Sequence, residues 1–210
     1  MPHIITMFKI IIFDLGNVLF KENWERLNKS FLKKFNISTL IRSRYGEKIQ
    51  KIYDKALIGK KEMRDVFEKI CKEKGLNHNI KKLCYFYKEE YKKNKVLDQK
   101  MIQLIKTLKK KYKVVCFTDT NDLHFEAHKE QGILDLFDEK FASHLIGIRK
   151  ADNKSFELVL KKLGVSPNEV LFIDDNPKNI SSANSIGIKT ILFRNFDDLK
   201  RQLRNFKITS

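Results

Sequence analysis

Apolar residues along this chain fall into two patterns. The first is a short unbroken run that stops at polar residues. Phe8-Lys9-Ile10-Ile11-Ile12-Phe13 gives way to Asp14-Leu15-Gly16-Asn17, and Tyr112-Lys113-Val114-Val115-Cys116-Phe117 gives way to Thr118-Asp119. Val170-Leu171-Phe172-Ile173 ends at Asp174-Asp175, Lys189-Thr190-Ile191-Leu192-Phe193 is a fourth run, and Lys140-Phe141-Ala142-Ser143 is a weaker fifth. Runs this short and this rich in β-branched residues read as strands buried on both faces. The second pattern is an apolar stripe at helical spacing. Met101, Ile102, Leu104, Ile105 and Leu108 make one stripe within Asp98–Lys110. Phe156, Leu158, Val159, Leu160 and Leu163 make another, with Gly164 placed to stop it. Ser166-Pro167-Asn168-Glu169 has the spacing of a capping box, and the stretch Ile180–Ile186 ends at Gly187. Strand and helix alternate, which predicts an α/β core whose parallel sheet is covered on both faces.

The stretch from Lys21 to Asn94 interrupts that alternation. It holds no strand-like run, only helical stripes: Trp24, Leu27, Phe31 and Leu32; Ile49, Ile52, Tyr53 and Leu57; Val66, Phe67 and Ile70; Leu83, Tyr85, Phe86 and Tyr91. Gly59 and Gly75-Leu76-Asn77 separate them. The pattern predicts a small helical bundle (21–94) inserted into a core made of 1–20 and 95–210. A chain of 210 residues suits one core with one insertion.

Composition adds one unusual number, a formal net charge of +17. Basic patches of that size raise nucleic-acid binding first. Yet 35 of the 43 basic residues are Lys, and they are spread along the chain in pairs and one triplet, Lys109-Lys110-Lys111. Base readout and phosphate clamping favour the planar fork of Arg. The charge is therefore read as a solvated lysine-rich surface rather than a nucleic-acid footprint. Three cysteines, Cys71, Cys84 and Cys116, show no CxxC spacing, so neither a zinc site nor a disulfide framework is expected. The first thirteen residues lack a basic leader region and a cleavage site, and no stretch reaches the roughly 18 apolar residues of a membrane span. The expectation is a soluble cytoplasmic protein.

Ligands of an open parallel sheet bind beyond the carboxyl ends of its strands. Three of the predicted strands end there in Asp14, in Thr118-Asp119 and in Asp174-Asp175, and Lys150 follows the short run Ile146-Gly147-Ile148-Arg149. Gathered carboxylates repel one another, and a hard divalent cation such as Mg²⁺ relieves that repulsion. A hydroxyl and an ammonium can hold phosphate oxygens, and a carboxylate in line with phosphorus can attack it.

The order of these features resembles the haloacid dehalogenase (HAD) superfamily. The match is carried by Phe13-Asp14-Leu15-Gly16-Asn17-Val18-Leu19, Phe117-Thr118, Lys150 and Phe172-Ile173-Asp174-Asp175-Asn176. Asp14–Val18 and Thr118-Asp119-Thr120-Asn121-Asp122-Leu123-His124 are similar to a subgroup of sugar-phosphate phosphatases, the α-glucose-1-phosphate phosphatase-like enzymes. The resemblance implies a Rossmann-like α/β core with a small helical cap. It also implies Mg²⁺-dependent hydrolysis of a small phosphorylated metabolite through an aspartyl-phosphate. Asp14 would be the nucleophile and a metal ligand, and Gly16 would offer its backbone carbonyl to the metal. Thr118, with the backbone amide of Asp119, would hold a phosphoryl oxygen. Lys150 would neutralise nucleophile and phosphate, and Asp174 and Asp175 would serve the metal.

Departures from the family pattern bear on the chemistry. Most phosphatases of the superfamily carry a second Asp, two residues after the nucleophile, for proton transfer; here that position is Gly16. Losing such a group costs roughly 10²–10⁴-fold unless another group substitutes or the leaving group is a good one. Asp119 stands where the subgroup often has Asn, and Ala151 where Pro usually follows the Lys. C–halogen hydrolysis through an Asp14 ester is the alternative that Gly16 permits, although the Asp174-Asp175 pair argues against a metal-free site. A catalytically weak protein that uses its basic surface on nucleic acid is the third reading. His124 and His128, four apart, share a helix face and read as ordinary partly exposed residues rather than a metal pair. The aromatics Tyr85, Phe86, Tyr87 and Tyr91 read as core of the helical insertion, and Trp24 as core or cleft.

Overall fold

The computed structural model describes residues 8–208. The ends of the chain, which the sequence pattern assigns to the core, lie outside the described residues. The strands are β1 (Ile10–Phe13), β2 (Phe20–Glu22), β3 (Lys95–Leu97), β4 (Lys113–Thr118), β5 (Glu139–Ala142), β6 (Val170–Asp174) and β7 (Lys189–Leu192). The helices are α1 (Trp24–Phe35), α2 (Ile41–Arg44), α3 (Glu47–Ala56), α4 (Met63–Lys74), α5 (Ile80–Lys93), α6 (Gln99–Leu108), α7 (Asp122–Glu130), α8 (Ser143–Ile146), α9 (Lys154–Leu163), α10 (Pro177–Ser185) and α11 (Phe196–Asn205).

Five strands form one parallel sheet in the order β5-β4-β1-β6-β7. All four residues of β1 are buried because both faces are covered. Ile10 and Ile12 pack with Phe156, Val159 and Leu160 of α9. Ile11 and Phe13 pack with Met101, Leu104 and Ile105 of α6 and Leu199 and Leu203 of α11. That two-sided burial explains why the strand reads as a continuous apolar run rather than an alternating one. The predicted stops hold. Asp98 caps α6 by accepting from the amides of Lys100 and Met101, and Gly164 closes α9 in the left-handed conformation. Ser166 and Glu169 form the expected capping box.

From β1 the sheet grows to one side through β4 and β5 and to the other through β6 and β7. The direction of growth reverses at β1, and the carboxyl ends of β1, β4 and β6 frame the crevice where such sheets bind ligands.

Helices α1 to α5 lie between β2 and β3 in the chain and build their own apolar cluster, including Leu27, Phe31, Phe67, Ile70, Leu83 and Tyr87. Ala127 of α7 joins that cluster from the sheet side. The sequence pattern predicts no strand near this insertion, but β2 and β3 pair antiparallel, with Phe20 opposite Leu97 and Glu22 opposite Lys95. Strands of three residues are too short to show a period of two, so the pattern misses them. This ribbon carries the chain out of the sheet layer and back. No helix among the described residues is long and apolar enough to cross a membrane.

Candidate active site

The strand ends converge as the sheet topology requires. Asp14 follows β1 and donates its amide to the Ile173 carbonyl of β6 at 2.9 Å, which continues the ladder one residue past the strand. The chain then turns sharply, with Asn17 at φ 56°, a left-handed conformation that Asn tolerates. Asn17 Nδ2 donates to Asp175 Oδ2 at 3.0 Å, so the turn is tied to the end of β6. Thr118 ends β4 and is buried beside this group.

Lys150 is the hub. Its side chain is 1% exposed, and its Nζ lies 2.7 Å from Asp14 Oδ1 and 2.6 Å from Asp174 Oδ2. Asp174 is fully buried and heavily bonded. It accepts from the Asn176 amide at 2.8 Å and from Asn179 Nδ2 of α10 at 3.0 and 3.2 Å. Asp119 positions the lysine's backbone, since Oδ1 accepts from the Lys150 amide at 3.0 Å and Oδ2 from Arg149 Nε at 3.1 Å. The sequence reading uses only Asp119's own amide. The structure adds a side-chain role in holding the Arg149-Lys150 loop.

Burial, aided by the charge of Asp174 and opposed by Lys150, pushes the Asp14 carboxyl up to about 7. Burial works against the Lys150 ammonium, but Asp14, Asp174 and Asp119 outweigh it and hold its pKa above the ordinary value. The site therefore carries more negative than positive charge. Asp14, Asp174 and Asp175 each bring one oxygen to within 4.8 Å of the others. Three clustered carboxylate oxygens, with only Asp14 and Asp174 paired to the one buried ammonium, suit a hard divalent cation in charge and in donor type, and Mg²⁺ fits both.

Above this floor lies a cavity of about 210 Å³, enclosed on the insertion side by Phe20, Glu22, Trp24, Tyr53, Leu57 and Tyr91. Trp24 thus faces the cleft. His124 and His128 also line the cavity but are not the partly exposed residues expected from sequence. The Tyr91 ring stacks on His124 with centroids 3.7 Å apart, and His124 Nε2 meets the Tyr87 hydroxyl at 2.9 Å. Burial pushes these histidines down to about 3 and about 2, so both stay neutral. Among the aromatics, Tyr87 and Tyr91 are buried as expected, but Tyr85 is exposed. Glu22, Asn17 and Asn179 are contributors that the sequence does not single out. Burial raises the Glu22 carboxyl above its ordinary pKa, against the opposing pull of the Tyr91 hydroxyl and Lys95.

The sequence profile of the haloacid dehalogenase-like hydrolases matches residues 8–187. This chain belongs to that family. Among curated relatives, the drimenol cyclase of Aspergillus calidoustus is 29% identical over 209 residues, 95% of this chain. This HAD chain spans only 36% of that protein's length. The sesquiterpene phosphatase of Aspergillus oryzae is 31% identical over 189 residues, covering 87% of this chain and 88% of its own. A solved HAD enzyme of Bacteroides thetaiotaomicron, in complex with magnesium and inorganic phosphate, shares the fold with a TM-score of 0.75. It is 22% identical, over 91% of this chain and 98% of its own.

Proposed function

We propose that this HAD hydrolase is a Mg²⁺-dependent phosphomonoesterase acting on a small phosphorylated metabolite, such as a sugar phosphate. The observation that carries the reading is the convergence of Asp14, Thr118, Lys150 and Asp175 at one cavity, with the buried Asp174 carboxylate against Lys150 and close to the other two carboxylates. The sesquiterpene phosphatase and the D-ribitol-5-phosphate phosphatase among the relatives, and the magnesium and phosphate bound by the fold neighbour, support it.

Asp14 is the nucleophile. Lys150 holds its carboxylate and would share the ammonium with the incoming phosphoryl group. The Thr118 hydroxyl and the Asp119 amide would donate to phosphoryl oxygens. Asp14, Asp174 and Asp175 would hold the metal, together with the Gly16 carbonyl. Bound there, Mg²⁺ would supply electrostatic stabilisation of the transferring phosphoryl charge. Attack by Asp14 on phosphorus releases the alcohol and leaves an aspartyl-phosphate, which water then hydrolyses.

In this reading, 21–94 forms a cap over a core of 1–20 and 95–210 and restricts what enters. The cavity volume lies below the usual range of ligand clefts, which favours a compact substrate over a long hydrocarbon chain. The free thiols Cys71, Cys84 and Cys116 suit a reducing compartment such as the cytoplasm.

The test is phosphate release from a panel of sugar, polyol and terpenyl phosphates, with Mg²⁺ and with chelator, beside Asp14→Asn. The expected result is Mg²⁺-dependent release from a compact phosphomonoester, lost in Asp14→Asn. Equal release by Asp14→Asn overturns the mechanism, and no release from any ester overturns the function.

A further inference from the structure

Hydrolysis of an alkyl phosphate needs more than a nucleophile. The departing oxygen must gain a proton, and the water of the second step must lose one. Four carboxyl groups line the cavity: Asp14, Glu22, Asp119 and Asp175. Asp14 is the nucleophile. Asp175 belongs to the carboxylate cluster and is tied to Asn17. Asp119 has one oxygen on the Lys150 amide and the other on Arg149. The histidines are engaged as well, His124 by Tyr87 and His128 by Tyr91 and Lys95. Glu22 is the remaining carboxyl.

Its placement is specific. Glu22 sits at the end of β2, where the chain leaves the sheet layer. The Tyr91 hydroxyl donates to Oε1 and, with the Trp24 side chain, anchors the carboxyl. Oε2 points back toward the turn after Asp14 and lies 3.8 Å from where a Cβ at Gly16 would be. A longer side chain at position 16 would compete for the space that this carboxyl fills. Glu22 is not within the group of oxygens close enough to share a cation, so it is free of that duty.

We propose that Glu22 is the acid–base catalytic residue of this site, reaching from β2 to the leaving oxygen of the substrate. The inference rests on the phosphatase reading above. As the Asp14 oxygen bonds to phosphorus, the ester P–O bond breaks with its electron pair going to the alcohol oxygen, which takes the proton of the Glu22 carboxyl. In the second step Glu22 takes a proton from water as the water oxygen bonds to phosphorus. The Asp14–phosphorus bond breaks with its electrons returning to the carboxylate, leaving inorganic phosphate and a protonated Glu22. The sum is ester plus water giving alcohol plus phosphate.

The experiment compares wild type, Glu22→Gln and the double variant Gly16→Asp/Glu22→Gln in Mg²⁺. The probes are p-nitrophenyl phosphate, whose phenolate leaves without a proton, and the best alkyl phosphate of the panel above. Glu22→Gln is expected to keep a first-turnover burst of p-nitrophenol, while its steady state and its alkyl phosphate turnover fall roughly 10²–10⁴-fold. The double variant, with a carboxyl restored in the same space, is expected to recover at least about tenfold of the alkyl phosphate rate. An unchanged alkyl phosphate rate in Glu22→Gln overturns the proposal and leaves the phosphatase reading standing. Loss of the burst in step with turnover assigns Glu22 a structural role instead and also overturns it. A wild type that hydrolyses p-nitrophenyl phosphate but no alkyl ester does the same. A wild type inactive on every ester overturns both readings.

Discussion

Lys150→Met removes the charge of the buried hub while keeping most of its apolar stem. In the wild type the ammonium is 1% exposed, between Asp14 at 2.7 Å and Asp174 at 2.6 Å. Removing one partner of a buried pair leaves uncompensated charge and costs about 3–5 kcal/mol. A chain of this size loses about 2–4 °C of Tm per kcal/mol, so the expected drop is about 6–20 °C. The drop should depend on pH. The Asp14 carboxyl already titrates at about 7, and loss of the lysine raises it further. Below that value Asp14 is protonated in the variant and the remaining repulsion falls. The destabilisation is therefore smaller at pH 6 than at pH 8. Mg²⁺ should recover part of it at pH 8 by taking over the neutralisation. The assay is thermal unfolding followed by circular dichroism in chelator at both pH values. Lys9→Met serves as the control, because Lys9 pairs with Glu169 at the surface, is 66% exposed, and should cost no more than about 1 kcal/mol. A Lys150→Met loss no larger than the Lys9→Met loss would mean that the buried ammonium does not neutralise Asp14 and Asp174.

Three further outcomes follow from the same geometry. Because the Asp14 carboxyl sits at about 7, Mg²⁺ binding must displace a proton at lower pH. Affinity measured by calorimetry should fall by up to about tenfold per unit from pH 7 to pH 5 and level off above pH 8, and a flat profile would count against the site. A Cβ at Gly59, which has φ +70°, would lie 1.9 Å from the His144 carbonyl oxygen, whereas one at Gly75, φ +64°, would meet nothing within 4 Å. In urea unfolding, Gly75→Ala should cost about 1–2 kcal/mol of left-handed strain, and Gly59→Ala distinctly more; equal losses would mean the close approach to α8 is unimportant. Asp119→Ala loses both the Lys150 amide bond and the Arg149 pair and should cost about 1–3 kcal/mol. Asp119→Asn keeps an acceptor for the amide and should cost under about 1 kcal/mol, so a larger loss in Asn would contradict this role.

The sheet and its strand ends were legible because burial on both faces leaves an unmistakable trace, as in Ile10–Phe13 and Val170–Ile173. Asp14, Thr118, Lys150 and Asp174 could be named because each stands at the end of an apolar run or in a fixed order with the others, and the structure brings them together. Other features left no such trace. The β2–β3 ribbon is only three residues deep, so Glu22 looked like one more charge at the start of a helical stretch. Its neighbour across the cavity, Tyr91, arrives from a helix some seventy residues later, and no local pattern joins them. Asn179 supports Asp174 from the first turns of α10 but resembles any polar residue of an amphipathic helix. His124 and His128 share a helix face as their spacing requires. The face is buried only because α5 packs on α7, a tertiary contact that helical periodicity does not encode.

In the proposed mechanism Asp14 carries the phosphoryl group between two half-reactions. Acid quenching during turnover of ³²P-labelled p-nitrophenyl phosphate, whose phenolate leaves without a proton, followed by proteolysis and mass mapping, tests it. Label is expected on the peptide holding Asp14, formed within the first turnover and increased in Glu22→Gln, because with this ester only hydrolysis of the aspartyl-phosphate needs Glu22. Label on another residue, or sustained phosphate release with no labelled protein at any time point, would contradict it.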